Sequence, residues 1–424
     1  VPSPAPLSHS PGTFSLTRNQ PSAYTLPAKA GGGLSTRYVH NQQLLGRVTM
    51  KKIILVLAFV VAAVSLCSSD VRAADEIKIG AILRLSQGAS DGLPARRGIE
   101  IAEKEINAKG GIGGKKIKVI YEDSKDSPQN AVATFQKLVS MDGVKVIIGP
   151  MMSGEVLAVA PVAQQSKIVV ITPNGTSPKI SDAGEYVYRG CTRIDKQAEA
   201  LTRYAKDTLK TTKVAILFSN EPYGKGCNEL FTKNFTDLGM PVVISESFMV
   251  GDRDFSSQLT KIKQQQFDLL FIPGYLQETA PAISQAAKMG IAGTSMGVFG
   301  DMAPKYIELA GKAAEGHINA SEYNEDYDTP VNKKFKAEYN KIVAADPNEP
   351  NNIMFAALSY DMTRMAAEAI AKKGNEPDAV RSYLDTVKDF DGVTGKLSFD
   401  QNGDVVKQGV YIFKVANGKY VKVK

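Results

Sequence analysis

From Glu76 onward, short apolar runs alternate with longer amphipathic stretches, and this repeated change of period leaves few folds open. The run "IKIGAIL" (77–83) reads as a strand, and "ARRGIEIAEKEINAKGG" (95–111) as a helix with Ile99, Ala102 and Ile106 on one face. That helix ends at Gly110-Gly111, where glycine takes the left-handed cap. "KKIKVIYED" supplies a second strand, and Asp126-Ser127-Pro128 caps the helix "QNAVATFQKLVS" in the favoured order of polar cap then proline. "VKVIIG" and "KIVVIT" are further strands, each preceded by a helix. After "YVYRGCTRID" the pattern restarts, with helices at 196–209, 224–238 and 277–289 between the strands "KVAILFS", "PVVISESF", "FDLLFIPG" and "SMGVFG". Helical stretches at 331–345 and 353–372 follow, then "GKLSFDQNGD" and "GVYIFKVANGKYVKV", which read as strands and a hairpin. These last helices are surplus to the second unit, so the simplest topology returns them to the first and ends the chain on the second. The expected architecture is α/β, with two doubly wound parallel-sheet lobes. One lobe takes 75–193 and 324–390, the other 194–323 and 391–424, and three crossing segments form a hinge beside a cleft.

The segment before this pattern reads differently. Residues 1–49 are rich in Pro, Ser, Gly and Asn without apolar period, and are expected to be a non-native or disordered extension. Met50 then opens a signal peptide, residues 50–73: Lys51 and Lys52, an apolar stretch from Ile53 to Leu66, and a small-residue cleavage site at Val71-Arg72-Ala73. The stretch is too short for a stable membrane span, and Leu66 is bulkier than the residue a lipid-anchored Cys67 normally follows. Cleavage removes seven basic residues (Arg18, Lys29, Arg37, Arg47, Lys51, Lys52, Arg72) and one acid, Asp70. From 51 basic and 44 acidic residues, 44 and 43 remain, so the mature chain is near neutral and carries no basic footprint for nucleic acid. Cys191 and Cys227 then form either one disulfide or two buried thiols, and His317 as the single mature histidine argues against a metal site.

In open parallel sheets ligands sit beyond the carboxyl ends of strands. Pro150-Met151-Met152-Ser153-Gly154-Glu155 and Pro173-Asn174-Gly175-Thr176-Ser177-Pro178 follow two first-lobe strands and offer hydroxyls and free N–H groups near helix starts. A carboxylate there would be held by the backbone and by Thr176; on the plainer reading Ser153 caps a helix and the Pro/Gly run turns the chain. In the second lobe Tyr223, Tyr275 and Asp301 each follow a strand. Two phenols and a carboxylate suit an apolar ligand bearing an ammonium, with half-buried packing and helix capping as their structural alternatives.

The segments "INAKGGIGGKKIKVIYEDSKDSPQNAV", "IIGPMMSGEVLAVAPVAQQSKIVVITP", "EPYGKG" and the Asp301 loop, in order from about 76 to 415, resemble the periplasmic leucine/isoleucine/valine-binding proteins of ABC transporters. That resemblance implies the type I periplasmic-binding fold. It also implies that Ser153 and Thr176 hold a ligand α-carboxylate, that the Asn174 carbonyl and Asp301 take the α-ammonium, and that Tyr223 and Tyr275 line the cleft. Three positions depart from the pattern. Arg84-Leu85-Ser86-Gln87-Gly88 replaces the usual Pro-Leu-Thr-Gly, so Arg84 either pairs with an acidic or polar ligand group or forms a salt bridge beside the cleft. Asp301 replaces a glutamate, and Met152 occupies one position of a disulfide found in some members.

The expectation is a monomeric periplasmic solute receptor that closes on an amino acid, branched-chain or related, and delivers it to a membrane permease without any cofactor. The alternatives are a receptor for a non-amino-acid small carboxylate or amide, and a ligand-sensing receptor domain. An enzyme is disfavoured: "GGIGGKK" lacks the phosphate-loop spacing, and a lone histidine leaves no Ser-His arrangement beyond chance.

Overall fold

The computed structural model describes residues 76–347, 349–407 and 409–424. The extension, the signal peptide and Cys67 lie outside the described residues.

The first sheet contains β1 (Ile77–Leu83), β2 (Ile117–Asp123), β3 (Val146–Ile148), β4 (Val169–Thr172) and β5 (Val187–Arg189) in the order β2-β1-β3-β4-β5, all parallel. Ile79 stands opposite Val119, and Gly80 opposite Ile147. Helices cover both faces, so β1, β3 and β4 are apolar almost throughout, as parallel strands must be when neither face meets water. The second sheet repeats the plan. Its strands β6 (Val214–Ser219), β7 (Val242–Phe248), β8 (Leu269–Phe271), β9 (Thr294–Met296) and β10 (Ile318–Ser321) run parallel in the order β7-β6-β8-β9-β10.

The helices Pro330–Ala345 and Ile353–Lys373 return to the first sheet. The second of them packs closely on the helix Ala89–Ala108 because Gly98 lets the backbones touch: a Cβ there would fall 2.0 Å from the Ala356 carbonyl oxygen. Met362, Met365 and Ile370 then fill the space over β1 and β4.

A small antiparallel sheet follows, made of β11 (Phe390–Gly392), β12 (Gly395–Phe399) and β13 (Val405–Val406). The boundary expected between 390 and 391 falls inside it. Phe399 lies edge-on to Tyr188 of β5 at 5.0 Å, and Asp404 accepts from Arg189 Nε at 2.8 Å, so this sheet packs on the first lobe's core. Only then does the chain cross to β14 (Tyr411–Ala416) and β15 (Lys419–Lys422), which add antiparallel to β10. Their turn, Asn417-Gly418, has both φ angles positive (52° and 70°), the conformation that makes Asn-Gly a hairpin signal.

One buried ion pair ties the three crossings. The Glu322 carboxylate, just after β10, accepts from the Thr192 amide at 2.8 Å and the Thr192 hydroxyl at 2.9 Å, and pairs with Lys407. Both charged side chains are almost wholly buried. Cys191 and Cys227 are separate buried thiols.

Candidate ligand-binding cleft

Each parallel sheet reverses its strand order once, between β1 and β3 in the first and between β6 and β8 in the second. Side chains that follow strands beside these two switch points line one cavity, in agreement with the general rule for open α/β sheets.

The first-lobe wall is built by the loops after β3 and β4. Ser153 is the first residue of the helix Ser153–Ser166, so its hydroxyl stands among unsatisfied N–H groups at the positive end of the helix dipole. Its Oγ accepts from the Ser177 amide at 3.2 Å, which links the two loops. The loop after β4 is held from below: Thr172 Oγ1 donates to the Pro150 carbonyl at 2.7 Å and accepts from the Gly175 amide at 3.0 Å. Arg189, fully buried, donates to the carbonyls of Gly175 at 3.3 Å and Ser177 at 2.8 Å. With its carbonyls turned back toward Arg189, the loop keeps Asn174 and Thr176 on the cavity wall. Glu155, in the first turn of the helix, accepts from the Met152 amide at 3.3 Å, and burial pushes its carboxyl up to about 7.

The second-lobe wall is aromatic. Glu221 caps the helix Pro222–Asp237 by accepting from the amides of Tyr223 and Gly224, both at 2.8 Å, and so fixes Tyr223 at the cavity. Tyr275 is the residue before the helix Leu276–Lys288; its ring lies 5.4 Å from that of Tyr223, tilted by 42°. Burial raises both phenols well above their ordinary range, so they remain neutral donors. The Tyr223 hydroxyl and Asn174 Oδ1 are buried without a hydrogen-bond partner among the described residues.

Six of the seven sequence-predicted residues therefore meet at one cavity: Arg84, Ser153, Asn174, Thr176, Tyr223 and Tyr275. Asp301 does not line it. The short turn Phe299–Asp301 after β9 presents Phe299 to the cavity and turns Asp301 back toward the start of β10. There the Asp301 carboxylate accepts from the Asn319 amide group, and its second oxygen lies 3.4 Å from His317 Nε2. Burial raises its carboxyl, and the neighbouring His317 works in the opposite direction. Its charge is one of the lesser causes that raise the Tyr223 phenol, behind burial.

Arg84 is committed to the protein. Its guanidinium donates Nε and Nη2 to the two oxygens of Asp126, both at 2.8 Å, and Nη1 to Asp91 at 2.6 Å. Its face lies over the Tyr275 ring at 4.8 Å, so it also spans the cleft. Sequence reasoning missed Asp91, Phe299, Phe355 and Leu358 on the wall. Asp91 was the one that could have been found: it is a lone acid in the first turn of a helix directly after a strand-end loop.

Residues 76–419 match the family model described as "Periplasmic binding protein". The Leu/Ile/Val-binding protein homolog 2 of Brucella abortus (strain 2308) is 31% identical over 348 residues, covering 81% of this chain and 92% of its own. Among solved structures, the branched-chain amino acid transporter substrate binding protein LivJ from Streptococcus pneumoniae, in complex with isoleucine, is 30% identical with a TM-score of 0.75. The match covers 82% of this chain and all of that one. The leucine binding protein LivK from Thermotoga maritima is 28% identical with a TM-score of 0.76, over 82% and 98% of the two chains.

Proposed function

This chain belongs to the periplasmic binding protein family, and from that premise we propose that it captures an amino acid between its two lobes and hands it to the membrane permease of an ABC importer. The family works outside the cytoplasm and is not enzymatic; the signal peptide at 50–73 and a monomeric state complete the proposal.

The observation that carries the reading is the pairing of unlike walls. The buried hydroxyls of Ser153, at a helix start, and of Thr176, in the loop after β4, face the rings of Tyr223, Tyr275 and Phe299 across a single cavity. A ligand carboxylate fits the first wall, where charge-assisted hydrogen bonds and the helix dipole favour an anion. An apolar body fits the second. The α-ammonium finds acceptors in Asn174, through its carbonyl and the unpartnered Oδ1, and in the Tyr223 hydroxyl. The negative charge of Asp301 lies behind them. Neither lobe offers the full set, so a ligand bound to both favours the closed arrangement over the open one. The names of the relatives support the amino-acid class.

The test is calorimetric titration of the purified chain with leucine, isoleucine and valine and with their α-keto acids, which keep the carboxylate and lose the ammonium. Tighter binding of the amino acids supports the reading. Equal or tighter binding of the keto acids assigns the cavity to plain carboxylates.

A further inference from the structure

We infer that the Arg84–Asp91 end of the cavity takes an uncharged hydrogen-bond-donating group of the ligand, a hydroxyl or a carboxamide, and discriminates against both a carboxylate and a bare hydrocarbon. The inference rests on the proposal that this cavity binds the solute, and it names the chemistry of the part of the ligand that the hydroxyl wall does not hold.

A lone arginine on a cavity wall suggests an anionic partner, but the surroundings reverse that conclusion. One guanidinium faces two carboxylates, Asp91 and Asp126, so the ionised cluster carries an excess negative charge. Burial raises the carboxyls of Glu155, Glu221 and Glu278 and so favours their neutral forms, which leaves the excess with Asp91 and Asp126. A ligand carboxylate would enter against that excess.

The guanidinium is also fixed. Lys125 and Asp126 both adopt left-handed φ angles (52° and 55°), an uncommon conformation outside glycine, which brings the Asp126 carboxylate square to Arg84. Gly88 leaves room on the other side: a Cβ there would lie 2.2 Å from Arg84 Nε. The Tyr275 ring covers one face.

Asp91 supplies the recognition. It is the one carboxylate lining the cavity among the described residues, and it is 3% exposed. A carboxylate has about four acceptor positions; Arg84 Nη1 fills one at 2.6 Å and Ser90 Oγ another at 3.1 Å. Arg84 has three of its N–H groups engaged, and a guanidinium has about five. A hydroxyl or carboxamide donates to Asp91 and accepts from a remaining Arg84 N–H without adding charge. A hydrocarbon of the same shape leaves those groups desolvated and unpaired.

The experiment titrates the purified chain with two shape-matched sets: leucine, asparagine and aspartate, then homoleucine, glutamine and glutamate. In at least one set the amide is expected to bind at least about tenfold more tightly than the hydrocarbon, with the acid weakest. Asp91→Asn keeps the shape and removes the charge; it is expected to shrink the deficit of the acid by about tenfold or more. Asp91→Leu is expected to move the preference to the hydrocarbon, with melting temperature and circular dichroism reporting that each variant folds. If the hydrocarbon equals or exceeds the amide in both sets, or Asp91→Asn leaves the ratios unchanged, the inference is overturned while solute binding stands. If none of the six binds, both are overturned.

Discussion

The two parallel sheets share one strand order, yet they bring opposite chemistry to the cleft. Beyond the first sheet stand hydroxyls, a helix start and the Arg84 cluster, whereas beyond the second stand Tyr223, Tyr275 and Phe299. The difference teaches that the sheet order fixes where a site lies, and the few residues after each strand fix what it binds. It also explains why two lobes are needed: a polar grip without the aromatic wall leaves the ligand's apolar part in water, and the aromatic wall alone has no purchase on a charge.

The largest expected effect comes from stripping the polar wall. Ser153→Ala combined with Thr176→Val should weaken ligand binding by about a hundredfold or more, since two hydrogen bonds to a charged group are removed. A calorimetric change under threefold would make the two walls equivalent and break the comparison. Tyr275→Ala should cost about tenfold through the lost ring face over Arg84 and the ligand, while Tyr275→Phe should stay within about threefold. A large loss in the Phe variant would move the second wall from packing to hydrogen bonding.

A smaller, pH-dependent effect belongs to Glu155. The folded chain holds this proton up to about 7, against 4.5 for the free side chain, so the folded state binds more protons between those values. Stability from this group is present at low pH and lost as pH rises through that window. Urea denaturation should show the wild type losing roughly 1–3 kcal/mol relative to Glu155→Gln between about pH 4.5 and 7.5. A pH-independent difference would remove Glu155 from the electrostatics of the first wall. The smallest effect is expected from Asp301→Asn: affinity within about threefold and melting temperature lower by about 1–3 °C, because the side chain sits behind the wall. A hundredfold loss of affinity would return Asp301 to direct contact with the ligand.

Much of this was legible along the chain. Period changes located the strands and helices, the Asn417-Gly418 dipeptide located the last hairpin, the rule of strand ends pointed to five wall residues, and the departure from the family pattern pointed to Arg84. The small sheet β11–β13 was harder, because short alternating strands fit either lobe equally until Phe399 finds Tyr188 and Asp404 finds Arg189. Asp301 was harder for another reason. Sequence places a residue after a strand, but the turn Phe299–Asp301 decides which of its side chains faces the cleft, and Asp301 there pairs with the Asn319 amide near the start of β10.

The sequence by itself determined the repeated α/β plan, the position of the cleft edges and the residue types available there, because these depend on local period and on the order of elements. Only the tertiary structure decided that Arg84 is spent on Asp91 and Asp126, that Arg189 supports the Thr176 loop, and that Glu322 joins Thr192 to Lys407 across the hinge. Each of these is a charge taken out of water. Such a charge must find partners wherever the fold brings them, at sequence separations that no local pattern encodes.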